Sequence, residues 1–180
     1  MNHPSPQPGK KTGKIMLIFA WIIGLVLLAQ FFGDWQADQE NPNQAVLSGL
    51  SADGYQELKL LRNRSGHYVA NGKINGQPVK FLLDTGATDV VIPENIAHKL
   101  GLEFGYPRQA NTANGVITTY STLIQSLQLD KIELHNVRGS INPHMDMGAI
   151  LLGMSALKQL ELIQRDQHLT LRQYTPGTKN

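Results

Sequence analysis

The sequence predicts a mostly β domain preceded by one membrane-spanning helix. Three observations carry that prediction: an unbroken apolar run near the N-terminus, a succession of short strand-like segments from Tyr55 onward, and turn residues between those segments. A chain of 180 residues holds one ordinary domain and a small appendage. Charged residues make up 17 % and hydrophobic ones 41 %, so there is material for a core, part of it spent on the apolar run. A net charge of +2 with no basic stripe argues against a nucleic-acid partner. The absence of cysteine excludes disulfides, thiolate metal sites and a cysteine nucleophile.

The apolar run, residues 15–32, reads IMLIFAWIIGLVLLAQFF, with Gln30 its only strongly polar residue. At helical rise it spans about 27 Å, close to the hydrocarbon thickness of a bilayer. It has no polar face and so does not suit a buried core helix. Its length, and the lack of a small-residue cleavage site after it, favour an uncleaved anchor over a signal peptide. Lys10, Lys11 and Lys14 precede the run, whereas Asp34, Asp38 and Glu40 follow it. The positive-inside rule then leaves residues 1–14 as a cytoplasmic tail and puts everything after Phe32 outside. Residues 33–54 are polar and aperiodic and read as a flexible linker, residues 55–174 as the folded domain and residues 175–180 as a frayed tail.

Within the domain, Glu57–Leu60 alternates in polarity, and 67–74 and 78–83 flank Asn75-Gly76, a dipeptide suited to a tight hairpin. Pro93 opens a short helix over 94–100, closed by Gly101. A second Asn-Gly pair, Asn114-Gly115, separates strand candidates 109–113 and 116–119. Further strands are expected over 123–129, 132–141, 160–164 and 169–174, with a brief helix over 154–160.

The chemistry concentrates in Phe81-Leu82-Leu83-Asp84-Thr85-Gly86-Ala87-Thr88. Three apolar residues suggest a strand buried on both faces that delivers Asp84 to its end, where a loop can present the carboxylate. Gly86 permits a tight turn, and Thr85 and Thr88 supply hydroxyls for neighbouring groups. Asp-Thr-Gly-Ala after an apolar strand resembles the active-site loop of aspartic peptidases. A second element of that family, two apolar residues, a glycine and a short helix, is matched by Leu151-Leu152-Gly153 and the segment after it. The chain is therefore similar to retropepsin-like aspartic peptidases over roughly residues 65 to 174.

That resemblance implies one half of an acid-protease closed β-barrel, with Asp84 as general acid/base and no cofactor or metal. It also implies that Thr85 braces the paired loops, that Gly86 meets substrate backbone, and that Asn114 and Gly115 form the tip of a flap. Thr88 stands where many viral members carry an acid, and the flap is poorer in glycine than theirs. The mechanism needs two carboxylates, one ionised to activate water and one protonated to polarise the scissile carbonyl, because like charges a few ångströms apart cannot both ionise. With a single Asp-Thr-Gly, the second must be Asp84 of another copy in an isologous homodimer. If one chain sufficed, Asp89 or Asp146 would have to serve. The implied protein is a bacterial-type aspartic endopeptidase acting on peptides or proteins, anchored in the inner membrane through residues 15–32 with its domain periplasmic. The alternative is a catalytically silent retropepsin-fold binding or dimerisation module. The histidines offer no metal-ligand spacing; His144-Met145-Asp146 is the nearest cluster.

Overall fold

The computed structural model describes residues 10–45, 48–51, 54–112 and 115–174. The chain divides into two compact units, Met1–Asp38 and Gln39–Asn180. The apolar run lies inside α1 (Lys10–Glu40), which continues well past Phe32. It stops at Glu40 because Pro42 disfavours helical backbone at Asn41. Its large apolar side chains are exposed, Trp21 at 67 %, so they find no core within the chain. Length and composition make α1 a candidate membrane span, and an N-terminal signal sequence meets the same description.

The second unit carries β1 (Ser48–Leu50), β2 (Tyr55–Leu61), β3 (Val69–Ile74), β4 (Gln77–Leu83), β5 (Val90–Pro93), α2 (Glu94–Leu100), β6 (Pro107–Thr112), β7 (Gly115–Leu129), β8 (Ile132–Asn142), β9 (Ile150–Leu152), α3 (Met154–Leu157), β10 (Glu161–Arg165) and β11 (His168–Tyr174). A seven-stranded sheet runs β3-β4-β9-β5-β8-β7-β6, and a four-stranded sheet runs β1-β2-β11-β10. β7 also pairs with β3, at Lys73↔Gln128 and Ile74↔Leu127, so the larger sheet returns on itself. The ring encloses fully buried Phe81, Ile92, Ile124, Leu127, Ile141 and Ile150, and Leu58, Leu60 and Leu171 of the smaller sheet join the same core. The mostly β, retropepsin-like architecture expected from the sequence is the one found.

Local chemistry explains the turns. Asn75 and Gly76 both have positive φ, 49° and 79°, as a two-residue hairpin requires. Asn75 is held from outside as well: its N–H donates to the Ser126 carbonyl at 2.9 Å, and its Oδ1 accepts from the Ser126 N–H at 3.0 Å. α2 begins after Pro93 and ends at Gly101, whose φ of 65° is left-handed.

Several expectations are corrected. The strands anticipated at 116–119 and 123–129 are one strand of 15 residues, β7. Val90–Pro93, for which no strand was expected, is a strand parallel to β8. The helix expected over 154–160 is only Met154–Leu157. The anticipated tail from Thr175, and most of residues 1–14, lie outside the described residues.

The largest correction concerns residues 33–54, expected as a flexible linker. The helix occupies this stretch to Glu40, Asn41 and Asn43 are buried, and β1 pairs with β2. Polar composition here signals backbone surrogates, not solvation. The Asn43 amide donates to the carbonyls of Leu61 (2.8 Å) and Val69 (2.7 Å) and accepts from the Leu61 N–H (2.7 Å), completing hydrogen bonds where β2 and β3 part. Asn41 supports it by accepting from the Asn43 N–H at 3.0 Å and donating to Asn71. β1 is tied down by Asp130, whose carboxylate accepts the Ser48 N–H at 2.7 Å. That bond holds the Asp130 carboxyl below the usual aspartate range. The tie is complete above that range and is lost as pH falls through the lowered value.

Asn43→Ala should strand three backbone groups and destabilise the domain by about 2–4 kcal/mol. Urea unfolding followed by circular dichroism should show an earlier midpoint with an unchanged slope.

Candidate active site

Asp84 follows β4 directly. β4 is interior to its sheet: on one side Val69↔Leu82 pairs it with β3, and on the other it runs parallel to β9 through Phe81↔Ile150, Leu82↔Leu151 and Leu83↔Leu152. The expected double burial holds only for Phe81, since Leu82 and Leu83 are half-buried. The backbone ladder continues one step into the loop, where the Asp84 N–H donates to the Leu152 carbonyl at 3.1 Å. The Asp84 carboxylate is therefore placed by an interior strand while its side chain remains half-exposed.

The loop closes on itself through Gly86, whose N–H donates to Asp84 Oδ1 at 2.9 Å. A Cβ at residue 86 would stand 3.1 Å from that oxygen, so glycine keeps the contact free. The Ala87 N–H donates to the Asp84 carbonyl at 3.2 Å. Asp84 Oδ2 has no hydrogen-bond partner among the described residues.

The segment after β9 clamps the far side of the loop. The Met154 N–H donates to the Ala87 carbonyl (2.8 Å) and the Ser155 N–H to the Thr88 carbonyl (2.9 Å). Gly153 makes this approach possible: a Cβ there would meet the Asp89 carbonyl oxygen at 2.1 Å and that of Ala87 at 2.7 Å. Ser155, 5 % exposed, completes the clamp, its Oγ accepting from the Val90 N–H (3.0 Å) and donating to the Arg138 carbonyl (2.7 Å). Leu151, Leu152 and Gly153 thus meet the Asp84 loop as a single piece of backbone.

A cavity of about 280 Å³ lies beside the carboxylate, lined by Tyr68, Leu83, Asp84, Thr85, Leu162 and Gln164 among others. The larger depressions around Asn71–Pro78 share no residue with it. Tyr68 is 9 % exposed, and its hydroxyl has no partner among the described residues.

Other expected site residues fall out differently. The hydroxyls of Thr85 and Thr88 are exposed and bond nothing among the described residues; Thr88 takes part through its carbonyl. Asp89 faces Arg138, 3.6 Å from its Nη2, and Asp146 is exposed in the loop before β9. β6 and β7 form a hairpin in register from Pro107↔Tyr120 to Thr112↔Gly115. Gly115 has φ 108°, and Asn114 lies outside the described residues. No group of three or more His, Asp or Glu side chains suited to a metal occurs among the described residues. Ser155 and Tyr68 were not singled out from the sequence. A lone polar residue in an apolar helix after Gly153 hints at the former, and nothing marks the latter.

A carboxylate directly after an interior strand, a glycine-backed loop and a glycine-led helix clamping it are the elements that the resemblance to aspartic peptidases predicts. The chain belongs to the retropepsin-like aspartic protease family: the family model described as "gag-polyprotein putative aspartyl protease" matches residues 70–159. A crystal structure of a retropepsin-like aspartic protease from Rickettsia conorii superposes with a TM-score of 0.59 at 29 % identity, covering 71 % of this chain and 95 % of that one. An uncharacterised Sinorhizobium protein encoded in the cobV 5′ region is 30 % identical over 171 residues, 86 % of this chain and 72 % of its own length. An uncharacterised protein of Rickettsia prowazekii (strain Madrid E) is 31 % identical over 124 residues, 66 % of this chain and 52 % of its own length.

Gly153→Ala should force the loop from the helix and cost about 3 kcal/mol or more, the upper end of overpacking losses. A thermal melt of this variant should show the loss directly, whereas Gly148→Ala, with no atom within 4 Å of its Cβ site, should melt like wild type.

Proposed function

We propose that this protein is a membrane-anchored aspartic endopeptidase whose reactive pair is Asp84 from each of two copies. The carrying observation is the Asp84 carboxylate itself, positioned by an interior strand, held at Oδ1 by the Gly86 N–H and open at Oδ2. In the proposed reaction the ionised Asp84 takes a proton from water as its oxygen attacks the scissile carbonyl carbon. The other Asp84, protonated, donates a hydrogen bond to the carbonyl oxygen and stabilises the negative charge that develops there. Collapse of the tetrahedral intermediate breaks the C–N bond, and the amine leaves with the proton that the first aspartate gained.

The pairing of two copies draws support from the cavity. The buried Tyr68 hydroxyl, unbonded among the described residues, lies beside the Asp84 loop. A second copy whose loop meets this one can supply partners to Tyr68 and to the exposed Thr85 hydroxyl. Asp89, facing Arg138, is poorly disposed to be a second carboxylate within one chain. The β6–β7 hairpin, whose second strand begins at Gly115, acts as the flap over an extended peptide.

Residues 15–32 act as the anchor in the inner membrane. The lysines before it keep residues 1–14 in the cytoplasm, and the domain from Tyr55 to Tyr174 is exported to the periplasm. Confinement to two dimensions raises the effective concentration of partner copies.

The test is to incubate the full chain in detergent with a diverse peptide library from acid to neutral pH. Wild type should cleave, and Asp84→Asn should lose at least about a thousandfold in rate with its fold intact. Equal cleavage by both proteins would refute Asp84 as the reactive group. Absence of cleavage by a folded, dimeric wild type would support the silent binding module.

A further inference from the structure

Resting on the two-copy reading of Asp84, we propose that the copies meet edge to edge through β10, with Ile163 on the two-fold axis. β10 ends the four-stranded sheet β1-β2-β11-β10, and among the described residues no strand covers its outer edge. At the other end of that sheet β1 is only three residues long and is tied down by Asp130. β10 lacks such protection. It contains no proline, and its register with β11 runs without a bulge from Glu161↔Arg172 to Arg165↔His168. An open, regular edge with an apolar centre is a template for another strand.

The sequence of β10 selects the partner and the register. It reads Glu161-Leu162-Ile163-Gln164-Arg165, with opposite charges at its two ends. The two-residue turn Asp166-Gln167 closes on Arg165↔His168 as a hydrogen-bonded pair, so Glu161, Ile163 and Arg165 bond inward to β11. The N–H and carbonyl groups of Leu162 and Gln164 therefore point to the open edge. Antiparallel pairing centred on Ile163 sets Leu162 against Gln164 of the partner subunit, and all of these groups are bonded across the axis. The same register sets Glu161 against Arg165 of the partner subunit, and symmetry repeats the pair. Moving the centre to Leu162 or Gln164 loses both ion pairs. Arg165 is exposed and in no ion pair among the described residues. Glu161 reaches only Arg172, at 3.7 Å, and Arg172 also holds Glu57.

The two faces of the strand agree with the site. Leu162 and Gln164 line the cavity beside Asp84 and pair with buried Leu171 and Leu169. Ile163 lies on the opposite side of the sheet, level with Thr170 and Lys59. A two-fold axis perpendicular to the sheet keeps the buried sides of both copies on one side of a continuous sheet. Both Asp84 cavities then flank the axis. Gln164 of the partner subunit comes to stand beside Leu162, which adds an amide to the wall of the cavity that holds Tyr68.

The experiment uses the full chain in detergent. Because the chain has no cysteine, I163C supplies its single thiol. A non-hydrogen-bonded cross-strand pair has Cα atoms about 4.5 Å apart, a spacing that a disulfide bridges. Under mild oxidation I163C should form a covalent dimer at least about tenfold faster than K131C, whose site lies beside β1 at the far end of the sheet. The covalent dimer should cleave peptide at the wild-type rate. Without oxidation, E161K and R165E should each raise the concentration at which dilution halves cleavage by about tenfold, and E161K/R165E should restore it. Cross-linking of I163C no faster than that of K131C, with cleavage still lost on dilution, would overturn the β10 interface and leave paired Asp84 standing. A covalent dimer that cleaves only after reduction, or a double variant that restores nothing, would overturn the register. Undiminished cleavage by a verified monomer would overturn the two-copy reading, and this interface with it.

Discussion

The site depends on one close approach, that of Gly153 to the backbone of Ala87 and Asp89. No side chain larger than hydrogen fits there, since a Cβ would lie 2.1 Å from a carbonyl oxygen. From that contact follow the Met154 and Ser155 N–H bonds to the Asp84 loop, and from Ser155 the link to Val90 and Arg138. The parallel pairing of β4 with β9 delivers both parts to the same place. Here the loop is tied at both ends by backbone hydrogen bonds, and the Gly86 N–H holds Asp84 Oδ1. The electrostatic work proposed for Asp84 needs that fixity, because preorganised groups stabilise a transition state without reorganising during the reaction.

What was legible in the sequence had short-range causes. Asn75-Gly76, Pro93 and Gly101 each impose a backbone geometry by themselves, and each turn or cap lies where they put it. Asp84 and Gly153 were legible as a pair because each sits beside an apolar strand. What was illegible depends on distant partners. Asn41 and Asn43 look like solvated linker residues until β2 and β3 supply the backbone groups that they satisfy. The continuity of β7 was hidden by Tyr120-Ser121-Thr122, polar residues whose pairing with β8 outweighs their composition. Tyr68 carries no local signal at all, since its unbonded hydroxyl matters only beside Asp84.

The central claim is that each active site contains Asp84 from two chains, and subunit mixing addresses it most directly. Wild type and Asp84→Asn are combined in detergent at fixed total protein, allowed to exchange, and assayed on a cleaved peptide. Because mixed dimers lack one carboxylate, turnover should fall as the square of the wild-type fraction, to about a quarter in an equal mixture. A fall in simple proportion to the wild-type fraction, with exchange verified independently, would mean that one chain carries a complete site.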